Sequence, residues 1–185
     1  MNRRFVLLGL FGILALVQIA VPVSMIIERE MVLRYGRTLK FRTAPVDPFD
    51  ALRGRYVALG FESNSVSGPG ASGFADGQRV YALVEEDADG FARFTRLSAR
   101  RPEGDAYVQV RVSYTHQGKT FLDLPFDRYY LEEDLAPAAE EAYRAHRARG
   151  SHDAYVTVRV WRGRAVLEEL YVGGKPILEF LKQPR

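Results

Sequence analysis

The sequence predicts a mainly β protein in which one N-terminal transmembrane helix precedes an antiparallel β-rich domain with one amphipathic helix. Three observations lead to this fold class. Residues 5–27 form an apolar run without a charged side chain. After that run, apolar and polar residues alternate with the period of two that is typical of strands. Residues 134–150 are the one later segment with the start and stop signals of a helix.

The apolar run is long enough to cross a bilayer. As a helix it covers about 34 Å, against about 30 Å for the hydrocarbon core. A secretory signal has a shorter apolar core that ends in small residues, whereas Pro22 and Met25 near the end of this run make poor cleavage positions. We therefore expect an anchor that is not cleaved.

The charges around the run predict its orientation. Arg3 and Arg4 precede it, and Glu28, Arg29 and Glu30 follow it. Because Lys and Arg are enriched on the cytoplasmic side, the N-terminus should be cytoplasmic and the remainder exported. The predicted organisation is a cytoplasmic tip and anchor over residues 1–27, a juxtamembrane helix extension over 28–36 and an extracytoplasmic domain over 37–185.

One polar side chain, Gln18, lies near the middle of the anchor. It could hydrogen-bond a partner helix in the membrane, and the small residues Gly9, Gly12 and Ala15 could let that helix approach. The simpler interpretation is that one amide is tolerated among apolar residues, and the absence of a strict small-xxx-small pattern favours it. Gln18 is thus a candidate intramembrane contact.

Short strands separated by glycine-containing turns fill most of the exported part. The turn signals are Asp89-Gly90, Gln117-Gly118, Arg162-Gly163 and Gly173-Gly174. Such turns favour antiparallel pairing in a curled sheet, a sandwich or a small barrel. The predicted strands are 38–43, 55–61, 79–86, 90–98, 106–115, 119–124, 154–162 and 164–172.

Two segments depart from this pattern. Residues 62–78 are polar and rich in glycine, which predicts a long mobile loop. Residues 134–150 predict a helix that Asp134 can cap and Gly150 can end. Its sheet-facing side should carry Leu135, Ala139, Ala142 and His146.

Composition argues against several classes of function. The net charge is +3, from 26 basic and 23 acidic residues. Without Arg3 and Arg4 the balance is 24 to 23, and the charges are interspersed, so no nucleic-acid-binding surface is expected. The chain has no cysteine, which excludes disulfides, thiolate metal sites and a cysteine nucleophile.

No catalytic or metal-binding pattern stands out either. The histidines at 116, 146 and 152 have neither metal-ligand spacing nor a nucleophile-elbow serine nearby. Residues 85–90 resemble the start of a calcium loop, but the twelfth position would be Arg96 instead of glutamate, so an acidic hairpin turn is expected. We predict no cofactor and no metal.

The most specified stretch is residues 46–61. Asp47 and Asp50 lie in a predicted turn, and Gly54 allows a close backbone approach just before the strand. The strand then places Tyr56 on one face and Leu59 and Phe61 on the other.

This stretch resembles the GDYXXLXY family of bacterial membrane-anchored proteins, whose motif is present here as residues 54–61. Gly54, Tyr56 and Leu59 match the motif, while Arg55 replaces its Asp and Phe61 its last Tyr. The preceding residues 44–54 are similar to the family's Pro-x-Asp-Pro lead-in. Residues 124–144 resemble its aromatic and acidic stretch that enters a helix.

The resemblance implies an exported domain on one helix in the bacterial inner membrane, often encoded beside or fused to a multi-pass membrane protein. It therefore implies an accessory, binding role with such a partner, and it supplies no catalytic mechanism. Arg55 cannot act as an acid or a metal ligand, so either this member has lost an activity or the motif's Asp is only a turn residue, and the second interpretation is simpler.

The candidate binding surface combines the motif with the later aromatic stretch: Asp47, Asp50, Gly54, Tyr56, Leu59, Phe61, Asp127, Tyr129, Tyr130 and Glu132. Core packing of the aromatic stretch is the alternative interpretation. Two other functions stay open. A cell-envelope hydrolase would use a carboxylate pair from Asp47, Asp50, Asp127 or Glu132, and a carbohydrate-binding module would need exposed coplanar aromatic rings.

Overall fold

The computed structural model describes residues 3–44, 56–68, 70–104, 106–147 and 153–182. The helices are α1 (Arg3–Tyr35), α2 (Ala136–Arg147) and α3 (Ile177–Leu181). The strands are β1 (Arg37–Ala44), β2 (Tyr56–Ala58), β3 (Gly60–Phe61), β4 (Ser65–Ser67), β5 (Arg79–Glu86), β6 (Ala92–Ser98), β7 (Tyr107–His116), β8 (Lys119–Asp123), β9 (Arg128–Tyr130), β10 (Ala154–Trp161), β11 (Arg164–Val172) and β12 (Lys175–Pro176).

Helix α1 contains the apolar run. Its most apolar window has a mean hydropathy of 2.4, and none of that window is buried against the rest of the chain. By length and composition α1 can cross a membrane. The helix continues without a break through residues 28–35 and ends at Tyr35.

The strands form antiparallel sheets, as the turn signals predict. Sheet A has the order β12-β11-β10-β1-β3, sheet B has the order β4-β8-β7-β5-β6, and β2 pairs with β9 in a separate two-stranded sheet. The hairpins of β7 with β8 and of β10 with β11 turn through two residues with positive φ, Gln117-Gly118 and Arg162-Gly163. Positive φ at both positions gives a turn whose twist matches that of the flanking strands.

A cluster of phenylalanine rings joins the two large sheets. Phe41 of β1 lies 5.5 Å from Phe94 of β6 and 5.2 Å from Phe126, measured between ring centroids. Phe61 of β3 lies 5.2 Å from Phe126. All four side chains are buried, so sheets A and B share one hydrophobic core.

Helix α2 packs on this core through small side chains and one tyrosine. Ala139 and Ala142 are buried as the periodicity predicts, whereas Leu135 and His146 are half-buried. Tyr143, which the helical pattern did not single out, is 1% exposed. The ring of His146 lies edge-on, 4.9 Å from the ring of Phe180 in α3, so this histidine has a packing role.

The strand predicted over 55–61 is divided between two sheets. Tyr56–Ala58 pairs with β9, and Gly60–Phe61 pairs with β1. Between them the backbone N–H of Leu59 donates to the carbonyl oxygen of Asp127 at 2.9 Å. The prediction of one continuous strand was wrong because the chain crosses from one sheet to the other at Leu59.

The prediction of a long mobile loop over 62–78 was also wrong in its central part. Val66 is buried within β4, which pairs with the edge of sheet B at β8. Ala71 is buried as well, and its carbonyl oxygen accepts a hydrogen bond from the hydroxyl of Thr120. Isolated apolar residues among serines and glycines thus tie this segment to the sheet.

Helix α1 joins sheet A without a linker. Val32 is 1% exposed, and the N–H of Gly36 donates to its carbonyl oxygen at 2.8 Å. A Cβ on Gly36 would overlap that oxygen and would lie 3.2 Å from Cβ of Arg159. Only glycine lets the helix end this close to β10.

The β10–β11 turn lies beside the same end of α1. Arg164 forms an ion pair with Glu28, and the rings of Tyr35 and Trp161 lie 6.3 Å apart. These contacts and the junction at Gly36 hold the helix at a defined position on the domain.

The acidic turn at residues 85–90 binds an arginine of the neighbouring sheet. The guanidinium of Arg42 contacts the carboxylates of Asp87 and Asp89, the latter at 2.6 Å, and lies 4.0 Å above the ring of Phe91. Asp87 also accepts backbone hydrogen bonds from Phe91 at 2.9 Å and Asp89 at 3.0 Å. The turn is a structural bridge between sheets A and B.

Replacing Asp87 by Asn should destabilise the domain at neutral pH. The N–H of Phe91 and then Arg42 lower the pKa of Asp87. A lowered folded-state pKa adds stability above the unfolded value of about 3.9, and this stability is lost as the pH falls through the folded value. The free energies of unfolding of the two proteins should therefore differ at pH 7, begin to approach each other below about pH 4 and become equal below the folded-state pKa of Asp87. Asp89→Asn is the matched control, since Asp89 is more exposed and should give a smaller difference at pH 7.

Candidate functional site

The small sheet of β2 and β9 brings together the two stretches from which the binding surface was predicted. Tyr56 is paired with Tyr130, Val57 with Tyr129, and Ala58 with Arg128. Side chains alternate between the two faces of such a pair, so one face carries Tyr56 and Tyr130 and the other carries Val57 and Tyr129.

The outer face presents aromatic rings beside charged groups. The rings of Tyr56 and Tyr130 lie 5.6 Å apart, and the guanidinium of Arg128 lies 5.2 Å from the Tyr56 ring. The Asp127 carboxylate is 3.8 Å from Nε of Arg128. The Tyr130 hydroxyl and then Asp127 raise the pKa of Arg128, so its cation is firmly retained. We call Tyr56, Asp127, Arg128 and Tyr130 the tyrosine surface.

Tyr130 is the most accessible aromatic residue of this surface. Its side chain is 65% exposed, although the ring is large and apolar. Tyr56 beside it is half-buried. An exposed tyrosine that is held by a neighbouring ring and a cation can bury area on a partner with little loss of side-chain entropy.

The inner face of the pair is structural. Val57 is fully buried, and the hydroxyl of buried Tyr129 donates to Oε1 of Glu169 at 2.6 Å. The same oxygen accepts the N–H of Leu170 at 2.9 Å. Burial, and after it the bond to Glu169, raises the pKa of Tyr129, so the hydroxyl stays protonated and fixes β9 to β11.

Three predicted surface residues therefore belong to the interior. Leu59 and Phe61 are 5% and 4% exposed because the chain turns into the core after β2. Tyr129 is buried because it lies on the inner face of β9. These residues position the tyrosine surface from beneath and are not available to a ligand. Sequence reasoning missed Arg128 and Glu169. Arg128 meets the Tyr56 ring only because β2 pairs with β9, and Glu169 meets Tyr129 only because β9 packs on β11.

The remaining predicted residues lie elsewhere. Asp47, Asp50 and Gly54 lie outside the described residues. Glu132 is exposed, and its carbonyl oxygen accepts the N–H groups of Leu135 and Ala136 at 3.0 and 3.1 Å where α2 begins.

Gln18 is exposed on α1, as is the adjacent apolar surface of the helix. A Cβ added at Gly9 or Gly12 would meet nothing within 4 Å. The glycines therefore leave shallow positions on the helix surface where another helix could approach.

The two described carboxylates of the hydrolase hypothesis, those of Asp127 and Glu132, lie on opposite sides of β9 in the sequence. Asp127 lies beside Arg128. Within residues 3–44, 56–68, 70–104, 106–147 and 153–182, no group of three or more His, Asp or Glu side chains could hold a metal ion.

Other aromatic pairs on the domain stack on each other. Tyr155 and Tyr171 lie 4.7 Å apart with an interplanar angle of 3°, and Tyr114 and Phe121 lie 4.5 Å apart at 17°. In such a pair each ring covers a face of the other, so the two rings do not form a coplanar platform. Tyr56 and Tyr130 are tilted by 58°. None of these described pairs has the coplanar arrangement that a carbohydrate-binding module was expected to need.

Comparison with known proteins identifies the family. The family model described as GDYXXLXY protein matches residues 18–170, from the middle of α1 to Leu170 of β11. No curated protein and no solved structure matches the chain. The matched range includes the motif, both strands of the tyrosine surface and α2, and it spans most of the 185 residues. The chain therefore belongs to the GDYXXLXY family.

Proposed function

We propose that this protein is a single-pass, membrane-anchored accessory protein whose extracytoplasmic domain binds a multi-pass membrane protein. The tyrosine surface carries the proposal, because it places exposed Tyr130 and half-buried Tyr56 beside a retained cation. Tyr and Arg are enriched in the residues that dominate binding energy at protein interfaces.

The contacts between α1 and the domain favour an uncleaved membrane anchor instead of a cleaved signal sequence. Val32 of α1 is buried in the domain, and Glu28 pairs with Arg164. The helix therefore reaches from the apolar run to its contacts with β10 and β11 of sheet A as one element. Arg3 and Arg4 before the run favour a cytoplasmic N-terminus and an exported domain.

A partner in the same membrane could be contacted in two places. The tyrosine surface offers an aromatic and cationic contact outside the bilayer. Gln18, with the glycine positions on α1, offers a contact within it, where a hydrogen bond between helices typically contributes about 0.6 kcal/mol. A multi-pass protein with a periplasmic surface fits both contacts.

Photocrosslinking in cells tests this proposal. A photoreactive residue at Tyr130 should capture a discrete membrane protein, and Arg128→Glu should abolish the product by reversing the charge beside the ring. Tyr114 on β7 is the matched control, since it is also an exposed tyrosine, at 49% against 65% for Tyr130, but lies in sheet B.

A second pair of positions tests the contact within the membrane. Gln18 and Leu16 are both exposed on α1, but two residues of a helix turn the side chains to nearly opposite faces. Capture from Gln18 and not from Leu16 would support a specific helix contact. Identical products from Tyr130 and Tyr114, or no product from both Tyr130 and Gln18, would contradict the accessory role.

A further inference from the structure

We propose that the β10–β11 turn, together with the adjoining end of α1, binds the phosphate groups of anionic lipids in the bilayer that α1 crosses. We call Trp161, Arg162, Gly163 and Arg164 the lipid-facing turn. The inference rests on the part of the proposed function that places α1 in the membrane, and it does not require the protein partner.

The turn lies at the level of the membrane surface. Arg164 forms an ion pair with Glu28, which is the first charged residue after the apolar run. Trp161 contacts Tyr35 at the end of the helix. Glu28 and Tyr35 are separated by about 10 Å along the helix axis. When the run 5–27 fills the hydrocarbon core, the contact of Arg164 with Glu28 is therefore in the headgroup layer, which is about 5–7 Å thick on each side, and Trp161 lies toward the outer side of that layer.

The charges at this end of the molecule are mainly positive. Residues 28–35 and the lipid-facing turn together carry four arginines, at 29, 34, 162 and 164, against two glutamates, at 28 and 30. Within the part of the chain that the structure describes, Arg164 is the member of this set that pairs with an acid, whereas Arg29, Arg34 and Arg162 form no ion pair. All three are exposed. An anionic surface would neutralise them.

Aromatic rings hold two of these arginines. The guanidinium of Arg162 lies 4.7 Å from the centroid of the Trp161 ring, and that of Arg34 lies 5.8 Å from the Tyr35 ring. Trp and Tyr are enriched at membrane–water interfaces, and guanidinium groups bind phosphate in a bidentate geometry. The same end of the domain thus supplies both kinds of interfacial side chain.

The lipid-facing turn is also held in place by contacts with β7 and by the junction between α1 and β1. The carbonyl oxygen of Gly163 accepts the N–H of Gln109 at 2.7 Å, and a Cβ on Gly163 would lie 2.7 Å from Cε2 of Tyr107. Arg159 donates to the carbonyl oxygen of Gly36 at 3.2 Å. Because the turn is held by β7 and by the helix junction, little backbone freedom is lost when it meets the headgroups.

Trp161 is the chain's only tryptophan, so its fluorescence reports directly on this turn. The full chain would be reconstituted into phosphatidylcholine vesicles that contain phosphatidylglycerol, with bromine on the acyl chains of one lipid at a time. Quenching should be roughly twofold stronger from bromine near the headgroup than from bromine near the chain end, as for an interfacial residue. Brominated phosphatidylglycerol should quench more than brominated phosphatidylcholine at equal mole fraction.

Arg162→Gln should lower this preference for the anionic lipid by about fivefold, as expected for one basic residue at the surface. Arg162→Lys should retain most of it, and raised salt should weaken it in the wild type. Arg111→Gln is the matched control, because Arg111 is an exposed arginine of β7 in sheet B. Unchanged circular dichroism would show that each variant is folded.

Each outcome decides the matter. If the protein floats with the vesicles but Trp161 is not quenched, or if Arg162→Gln leaves the lipid preference unchanged, the turn does not bind lipid. If the protein does not float with the vesicles, α1 does not anchor the chain in a bilayer, and both the proposed membrane anchor and this inference are contradicted. Absence of a crosslinked protein partner would leave the lipid contact unaffected.

Discussion

Replacement of Phe41 by Ala is expected to lower the free energy of unfolding of the domain by about 3–5 kcal/mol. Phe41 is 0% exposed, and its ring meets those of Phe94, Phe126 and Phe61 at 5.5, 5.2 and 6.3 Å. The change removes the ring that connects sheet A to sheet B and leaves a cavity that the surrounding strands cannot fill. Since domains are typically stable by about 5–15 kcal/mol, a large part of the free energy of unfolding should be lost.

Denaturant unfolding of the full chain in mild detergent, followed by circular dichroism, measures this loss. Tyr114→Ala is the control, because it also removes a stacked aromatic ring, yet Tyr114 is 49% exposed and lies away from the phenylalanine cluster. Tyr114→Ala should lower the free energy of unfolding by about 1 kcal/mol or less. Equal losses for the two variants would mean that the phenylalanine cluster does not hold the sheets together.

Replacement of Gly36 by Ala is expected to lower the free energy of unfolding by about 2–3 kcal/mol and to weaken the packing of α1 on the domain. The added methyl group would overlap the carbonyl oxygen of Val32 and press against Arg159. Both neighbours are part of the junction, and the overlap with Val32 is with backbone, which cannot rotate away. Relief therefore requires the end of the helix to shift and the hydrogen bond from Gly36 to Val32 to break.

Two readouts follow this junction. Limited proteolysis should cut the variant near residue 36 faster than the wild type, and the emission of Trp161 should change because Trp161 contacts Tyr35. Gly12→Ala is the matched control, since a Cβ at Gly12 would meet nothing within 4 Å and should leave both readouts unchanged. If Gly36→Ala is cut at the same rate as the wild type and its Trp161 emission is unchanged, the junction tolerates a side chain at residue 36.

Local chemistry was enough to predict most of the sheets. The strands of β5, β7, β8, β10 and β11 alternate clearly, and residue pairs such as Gln117-Gly118 supply the positive φ that a two-residue turn requires. Helix α2 was equally predictable from its apolar face. In these elements, pattern and turn residues agree with the final pairing.

The division between β2 and β3 could not be predicted in the same way. Alternation from Tyr56 to Phe61 continues without a break in the sequence and puts Val57, Leu59 and Phe61 on one face, but it did not reveal that this face is the buried one. Leu59 still donates to Asp127 beside β9, and the chain then changes partner, because Gly60 and Phe61 pair with β1. Pairing partners of this kind are tertiary information that a local pattern does not contain.

The same reason limits prediction of the site. The sequence identified Tyr56 and Tyr130 separately, but their contact arises from the pairing of β2 with β9. Arg128 could not be distinguished in the sequence from the other interspersed charges. It belongs to the tyrosine surface because the fold places its guanidinium beside the Tyr56 ring. Tyr129 and Tyr130 look alike as neighbours in the sequence, yet one is buried and the other exposed.

If α1 spans the bilayer as proposed, the junction at Gly36 sets the height of the domain above the membrane. With no flexible segment between α1 and β1, the tyrosine surface cannot rise, sink or turn independently of the helix. The proposed partner would therefore have to present its complementary surface at one distance from the bilayer and in one direction around the helix axis. Rotation or tilt of α1 by a neighbouring helix would in turn move the whole domain as a rigid arm, so an event inside the membrane could be transmitted outside it.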